Sequence, residues 1–531
     1  MCGIWYCVVP EHIEVAAIKA AFANLSGRGP DFSEMAPITC AKGPQRVALG
    51  FHRLAVINTG DAGNQPFQHG RCGRHRFVCS GEIYNWRQLT RVHGFSDADL
   101  RSDVDIICKM IDISGDIQDI LSSLDGDWAF ISLDTQSGRV IAGRDPLGVR
   151  PLFYGVSSNG TVLGIASEAK GLLGLPDVQD IKVFPPGTWW TSDDPTIFFR
   201  YTDVFPQEGE PMLDVTLDEA TATVRHLLEN AVRKRVQHSD VPLAFLCSGG
   251  LDSSAIVAIA QNFTSDLHTF SMAMKSSARS HDAQYAALLT SMLAVDHKPI
   301  TFTEQEVSCV INDVIHACET HDPQTIRASI PMYLLAKHIR EQTPYRVILS
   351  GEGADEMFGG YSYFSRAPSP QAARSETERL LKNLYSFDLL RADRCFAAHG
   401  LEIRVPYLDK DLIRYVLRLP YHITNNTDGV EKYLLRRSLR DISSLCRTRI
   451  IDRAKERFSD GVSFGYVPYL LRMISPNYVG LENGEKAETE YYNRIFDEVY
   501  KPNARSLILP RSMPDWVPRA QPQNATLGAG P

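Results

Sequence analysis

The stretch Cys247-Ser248-Gly249-Gly250-Leu251-Asp252-Ser253-Ser254 lies between two apolar runs, residues 241–246 before it and 255–260 after it. The first run has the length and composition of a buried strand, and the second reads as the opening turns of a buried helix. Strand, glycine-containing loop and helix together form a cradle for phosphate. Two glycines let the backbone come close to an anion, while loop N–H groups, the helix N-terminus and serine hydroxyls donate to its oxygens. Asp252 adds a carboxylate suited to holding Mg²⁺ against those oxygens. The common nucleotide loop, Gly-x-x-x-x-Gly-Lys-Ser/Thr, has no match in the chain.

Working outward, 531 residues exceed one ordinary core and predict two large domains. A composition of 44% hydrophobic and 22% charged residues is globular. The net charge of -8, without a long Lys/Arg run, argues against a nucleic-acid surface. No apolar run has the length of a membrane span, and the opening residues lack the basic-then-apolar layout of a secretory signal. The 11 cysteines are scattered without a Cys-x-x-Cys pair, which predicts reduced thiols in the cytoplasm.

The chain opens Met1-Cys2-Gly3-Ile4. Cysteine is small enough for removal of the initiator Met to be expected, leaving Cys2 with a thiol and a free α-amine. Such an amine has a pKa of about 7.7–8.0 and can act as base beside its own thiol. Val15, Ile18, Phe22 and Leu25 recur at helical spacing. Residues 51–57 and 77–80 read as strands, and 125–130 and 143–148 as turns alternating with short strands. This mixture predicts an α+β layered domain ending near residue 200. Residues 185–218, rich in Pro, Asp, Glu and Thr, read as strand ends and an interdomain connection.

Beyond it, helices are expected over 217–237, 304–318 and 332–340, and strands over 270–274 and 346–349. Their alternation predicts a parallel sheet with helices on both faces, whose ligands bind at the carboxyl ends of the strands. Both Ser-Gly motifs, at Ser248 and at Ser350-Gly351-Glu352-Gly353-Ala354-Asp355-Glu356, fall at such ends. Gly461-Val462-Ser463-Phe464-Gly465 matches a hydrolase elbow in letters, but no strand precedes it and no triad accompanies it.

Ser-Gly-Gly-Leu-Asp-Ser resembles the pyrophosphate loop of enzymes that split ATP between its α and β phosphates. Met-Cys-Gly-Ile, Arg28-Gly29-Pro30-Asp31, His52-Arg53-Leu54, Gly81-Glu82-Ile83-Tyr84-Asn85, Asp125-Gly126-Asp127-Trp128-Ala129 and Arg144-Asp145-Pro146-Leu147-Gly148-Val149-Arg150-Pro151-Leu152 occur in one order. Together they resemble an N-terminal-nucleophile glutamine amidotransferase domain. With Glu402-Ile403-Arg404-Val405-Pro406 and 453–462, the whole is similar to glutamine-dependent asparagine synthetases over about residues 1–515. The resemblance implies a layered αββα N-terminal-nucleophile sandwich (1–200), followed by a doubly wound α/β synthetase domain (215–515). The tail, 516–531, is expected to be disordered.

The resemblance also implies roles. Cys2 attacks the glutamine carboxamide, with Ser80 and Gly81 at the oxyanion. Arg53, Asp103, Glu82 and the backbone of Val56 and Ile57 hold glutamine. Leu246, Met272, Ser350 and Gly351 contact the nucleotide. Ser248, Gly249, Gly250, Asp252 and Ser253 cradle pyrophosphate, with Asp252 and Asp355 on Mg²⁺. Arg327 and Lys455 neutralise phosphate charge, and Glu352 is the base for ammonia. ATP, aspartate and glutamine are the implied small-molecule partners, and similar enzymes are often homodimers. The family has Asn where this chain has Ser80, and often His where it has Gly27. Loss of an oxyanion donor costs about 10²–10³ in rate, so weakened glutamine use is an alternative expectation. A same-fold ligase acting on another carboxylate is a second alternative. An amidotransferase with a sugar or phosphoribosyl partner domain is disfavoured by the pyrophosphate loop. A non-catalytic relative is disfavoured because Cys2, Asp252, Glu352 and Lys455 are all present.

Overall fold

A computed structural model describes residues 1–9, 15–42, 46–70, 73–202, 204–207, 209–275, 281–424, 430–454, 466–475, 481–500, 507 and 513–517. Lys455, the 461–465 stretch and the tail from 518 onward lie outside these residues.

The first part holds two six-stranded antiparallel sheets. One runs, in order, Asp180–Val183, Phe153–Val156, Val162–Ala166, Gly3–Val8, Arg46–Arg53 and Phe32–Thr39. The other runs Asp194–Arg200, Thr188–Thr191, Val140–Arg144, Gly126–Asp134, His75–Ile83 and Phe67–His69. Ile4, Tyr6, Leu49 and Phe51 of the first interleave with Val78, Ala129, Ile131 and Ala142 of the second as a buried layer. The helix Val15–Ala23 covers the outer face of the first sheet through Ile18 and Phe22. The helices Asp105–Ser114 and Ile117–Ser123 cover the second through Ile106, Ile107 and Ile120. This is the expected αββα sandwich.

The second part is built on a five-stranded parallel sheet, in order Asp296–Phe302, His268–Met274, Leu243–Leu246, Val347–Leu349 and Glu402–Arg404. The order reverses direction at Leu243–Leu246, because the next strand in sequence pairs on one side and Val347–Leu349 on the other. That switch point opens a crevice at the carboxyl ends, where α/β folds bind ligands. The helix Leu217–Gln237 begins at a capping box, in which Thr216 and Glu219 each satisfy the other's backbone N–H. Thr303 and Glu306 do the same for Glu304–Cys318.

Two expected elements are corrected. The strand read over 51–57 is Arg46–Arg53, and residues 54–58 leave the sheet as a loop. The helix read over 332–340 is Pro323–Gln342 and runs through Pro331. Proline has no N–H to give the carbonyl four residues back, Arg327. The Tyr466 hydroxyl donates to that carbonyl instead, at 2.9 Å, so the helix continues.

Candidate active site

At the N-terminus, Cys2 lies at the start of Gly3–Val8, half-buried against the loop that follows Arg53. The Leu54 N–H donates to Cys2 Sγ at 3.4 Å. The Cys2 carbonyl accepts from Ser80 Oγ at 2.8 Å and from Arg28 Nε at 3.0 Å. Burial pushes the thiol up, opposed by the adjacent α-ammonium and the Leu54 N–H. Met1 is present and 1% exposed, its amine 3.2 Å from the Leu401 carbonyl. Burial pulls that amine down to about 5, against the attraction of Glu402.

Gly81 follows Ser80 at φ 136, and a Cβ there would lie 2.0 Å from the Asp127 carbonyl, so only glycine fits. Arg53 is buried, and its guanidinium donates to neutral oxygens: Gly60 O at 2.8 Å, Asn64 Oδ1 at 2.7 Å, and the carbonyls of Ile57 and Asn58. A cation held by neutral acceptors retains its charge for a ligand carboxylate. Asn58 in turn donates to the Arg101 carbonyl at 2.6 Å, tying this loop to the segment carrying Asp103. Asp103 is buried and accepts from the Ile83 N–H at 2.7 Å. Glu82, Asp103 and His238 place one ligand atom each within 4.8 Å of one another. His238 bridges the two carboxylates, with Nε2 3.0 Å from each. Burial pulls that imidazole down, but hydrogen bonds to Asp103 and Glu82 outweigh it and raise it to about 9.

At the parallel sheet, Leu246 ends its strand, and Met272 lies two residues past Phe270, which pairs with Leu246. Ser350 and Gly351 follow Val347–Leu349. All four therefore sit at neighbouring strand ends around the switch point. Gly249 has φ 81, and a Cβ would lie 2.4 Å from the Asp282 carbonyl. Ser253 Oγ accepts from the Ser248 N–H at 3.1 Å and lies 3.0 Å from Ser248 Oγ, while the Gly250 N–H donates to Ser248 Oγ at 3.3 Å. The loop is thus closed on itself with its N–H groups gathered at the start of the helix Leu251–Ala260. A Cβ on Gly351 would lie 2.8 Å from the Ser253 nitrogen, so the two Ser-Gly motifs are in contact.

Asp252 and Asp355 converge on Lys432 Nζ, at 2.5 and 2.6 Å. Burial would discharge this ammonium, but the two carboxylates more than offset it and its pKa is raised. The three acidic residues of 352–356 are thereby sorted. Asp355 pairs with Lys432, Glu352 takes a fork from Arg391 Nη2 at 2.9 and 3.0 Å, and buried Glu356 accepts from the Tyr361 hydroxyl. Arg453 steadies the loop from below, donating to the Gly249 carbonyl at 2.9 Å and pairing with Asp282. Arg327 is engaged elsewhere: Glu488 of the helix Leu481–Tyr500 holds its Nε at 3.0 Å. Its guanidinium faces that helix in this structure, where the resemblance assigned it to phosphate.

The two sites meet across a buried ionic border. Arg28 contacts Glu168 at 2.6 Å and Asp393 at 2.8 Å. Arg394 contacts Asp393 at 2.9 Å and Glu319 at 3.1 Å, and Lys170 contacts Glu168 at 2.5 Å. Three cations and three carboxylates balance. Arg404 pairs with Glu402 at 2.7 Å and approaches Glu82 at 3.4 Å.

The sequence reading missed Lys432, Arg391 and His238. Lys432 carried one signal, its place in the Lys432-Tyr433-Leu434-Leu435-Arg436 stretch. The other two carried none.

Two family models match the chain: the asparagine synthase family over residues 223–378 and 365–500, and the glutamine amidotransferase domain over 1–185. A glutamine-hydrolysing asparagine synthetase of Gallus gallus is 37% identical over 570 residues, covering 99% of this chain and 98% of that one. The Homo sapiens protein of the same name is 33% identical over 567 residues, with the same coverage. A probable asparagine synthetase of Acanthamoeba polyphaga mimivirus is 33% identical over 561 residues, again covering 99% and 98%. With a thiol at residue 2 on an αββα sandwich and a pyrophosphate-type loop at a parallel-sheet switch point, the chain belongs to the glutamine-hydrolysing asparagine synthetase family.

Proposed function

We propose that this protein is a carbon–nitrogen ligase that makes asparagine from aspartate, ATP and glutamine. The Cys2 thiolate attacks the glutamine carboxamide, giving a thioester and free ammonia, and water then releases glutamate. Removal of Met1 gives Cys2 its own α-amine as the base for this step. Arg53 takes the glutamine α-carboxylate and Asp103 the α-ammonium, with Glu82 and the Val56 and Ile57 backbone beside them. The Gly81 N–H donates to the oxyanion, and the Ser80 hydroxyl joins it only by turning away from the Cys2 carbonyl.

In the second domain, the aspartate β-carboxylate attacks the α-phosphorus of ATP. Pyrophosphate leaves, and ammonia displaces AMP from β-aspartyl-AMP. Leu246, Met272, Ser350 and Gly351 border the nucleotide. The Ser248–Ser253 loop and Lys432 hold the departing pyrophosphate, and Lys455 adds charge there. Asp252 and Asp355, two hard oxygen donors drawn to one point by Lys432, suit Mg²⁺, which would neutralise phosphate charge when bound. Glu352, oriented by Arg391, takes the proton of the attacking ammonia.

One observation carries the reading. A buried cation, Arg53, adjoins the Leu54 N–H that donates to the Cys2 thiol, and its loop is tied through Asn58 to the segment of the buried carboxylate Asp103, on a chain that also carries the pyrophosphate loop. We further assign residues 1–200 and 215–515 as the two working domains, the cytoplasm as the compartment and a homodimer as the assembly. Among the described residues all ten cysteines are free, and no helix is long and apolar enough to cross a membrane. Asparagine and pyrophosphate release from aspartate and MgATP, with glutamine or ammonium supplied, tests the function. A second reading is favoured by Ser80, whose hydroxyl is spent on the Cys2 carbonyl at 2.8 Å. In that reading ammonium serves better than glutamine.

A further inference from the structure

The segment joining the helix Leu217–Gln237 to the strand Leu243–Leu246 belongs to the second domain, yet it touches the glutamine-binding elements of the first at several points. Its first residue, His238, is 9% exposed, and its Nε2 lies 3.0 Å from both Asp103 Oδ2 and Glu82 Oε2. Two residues on, the Asp240 N–H donates to the Val56 carbonyl at 3.0 Å, and Asp240 Oδ2 accepts from the Asn58 N–H at 2.7 Å. Asn58 in turn holds the Arg53 guanidinium through its carbonyl.

We propose that His238 and Asp240 complete the glutamine site from the second domain, as positioning residues for the α-ammonium carboxylate Asp103 and for the 56–58 backbone. This inference rests on the assignment of Arg53, Asp103 and Val56 to glutamine.

The geometry explains how positioning works. Asp103 Oδ2 takes donors from two directions, the Ile83 N–H at 2.7 Å and the His238 ring at 3.0 Å. Two donors on one oxygen restrain the carboxylate's rotation and leave its other oxygen for the substrate ammonium. The imidazole is fixed in its turn. Its ring meets Tyr84 edge-on at 5.3 Å, its backbone carbonyl accepts from Arg404, and Arg235 lies over the Tyr84 ring at 4.8 Å. The Arg404 backbone carbonyl accepts from the Ser350 N–H at 2.9 Å, at the nucleotide crevice. Along the chain, Asp240 lies three residues before Leu243, where the strand that leads into the pyrophosphate loop begins. The glutamine pocket is therefore attached to the nucleotide site by a covalent strand and by Arg404.

The test uses the full chain and four variants: His238→Ala, His238→Gln, Asp240→Asn and Asp103→Asn. KM and kcat for glutamine are read from glutamate release, and pyrophosphate release with ammonium reports the second domain separately. A hydrogen bond to a charged group contributes about 1.5–3 kcal/mol, or about 10–100-fold in an equilibrium. H238A is expected to raise KM for glutamine by about 10–100-fold while kcat changes only a few-fold. H238Q, whose amide reaches the Nε2 position, is expected to recover most of the loss, and D240N to raise KM about tenfold. If H238A leaves KM unchanged while D103N raises it, the positioning role is wrong and the glutamine site stands. If D103N also leaves KM unchanged, the site assignment fails and this inference with it. If kcat and ammonium-driven turnover fall along with a raised KM, in H238A and H238Q alike, the residue is only structural and the proposal is overturned.

Discussion

Replacing Lys432 by Met removes the ammonium on which Asp252 and Asp355 converge while keeping most of the side chain's volume. Contacts of 2.5 and 2.6 Å to one Nζ leave the two carboxylate oxygens at most about 5 Å apart. Two unit charges at that separation repel by about 3 kcal/mol at an effective dielectric of about 20, worth roughly a hundredfold in an equilibrium. Two consequences follow in the variant. The paired carboxylates, without their own cation, bind Mg²⁺ or Mn²⁺ more tightly in the absence of ATP, by about a hundredfold. The pyrophosphate leaving group loses one of its neutralising charges, so ammonium-driven pyrophosphate release falls by about 10²–10³, the range for losing one electrostatic donor. Glutamate release from glutamine, which depends on the other domain, stays near wild type. Titration of Mn²⁺ without nucleotide and a coupled pyrophosphate assay measure the two effects. Unchanged pyrophosphate release in a folded K432M protein would refute the reasoning, because Lys432 would then lie outside the working site.

A protein carrying an N-terminal extension that prevents exposure of the Cys2 amine should lose glutamate release while retaining asparagine formation from ammonium, as product assays with the two nitrogen sources would show. Gly81→Ala should abolish glutamine hydrolysis and lower the first melting transition, since its Cβ would meet the Asp127 carbonyl at 2.0 Å. Asp393→Asn removes one charge from a balanced, buried set of six, and should cost about 3–5 kcal/mol in denaturant unfolding. His238, raised to about 9 from an unfolded value of about 6.5, gives stability that is full below about pH 6.5. That contribution is lost as pH rises through about 9. Thermal melts across this window should therefore fall more steeply for wild type than for H238Q, and equal slopes would count against the assignment.

Much of the architecture was legible because it is local. Thr216 and Thr303, each three residues before a Glu, announce the starts of the helices Leu217–Gln237 and Glu304–Cys318. The apolar run ending at Leu246 with glycines after it marks the strand and cradle. Local reading failed where distant groups decide. Residues 54–57 continue a strand-like pattern but leave the sheet, their loop held by Arg53 and by Asp240, 182 residues from Asn58. Pro331 would end an isolated helix, but Tyr466, 139 residues from Arg327, satisfies the freed carbonyl. Lys432 acquires its role only by meeting Asp252 across 180 residues, and His238 by meeting Asp103 across 135. Arg327, read as a phosphate ligand from its motif, is held by Glu488, whose helix lies 161 residues away.

The central claim is that one chain couples glutamine hydrolysis to ATP-driven amidation of aspartate. The most direct measurement is the yield of asparagine, glutamate and pyrophosphate from protein lacking Met1, given aspartate and MgATP with either glutamine or ammonium. The account predicts asparagine from both nitrogen sources, with one pyrophosphate per asparagine and glutamate formed when glutamine is the donor. No asparagine from either source, with pyrophosphate released only when another carboxylate replaces aspartate, would contradict it.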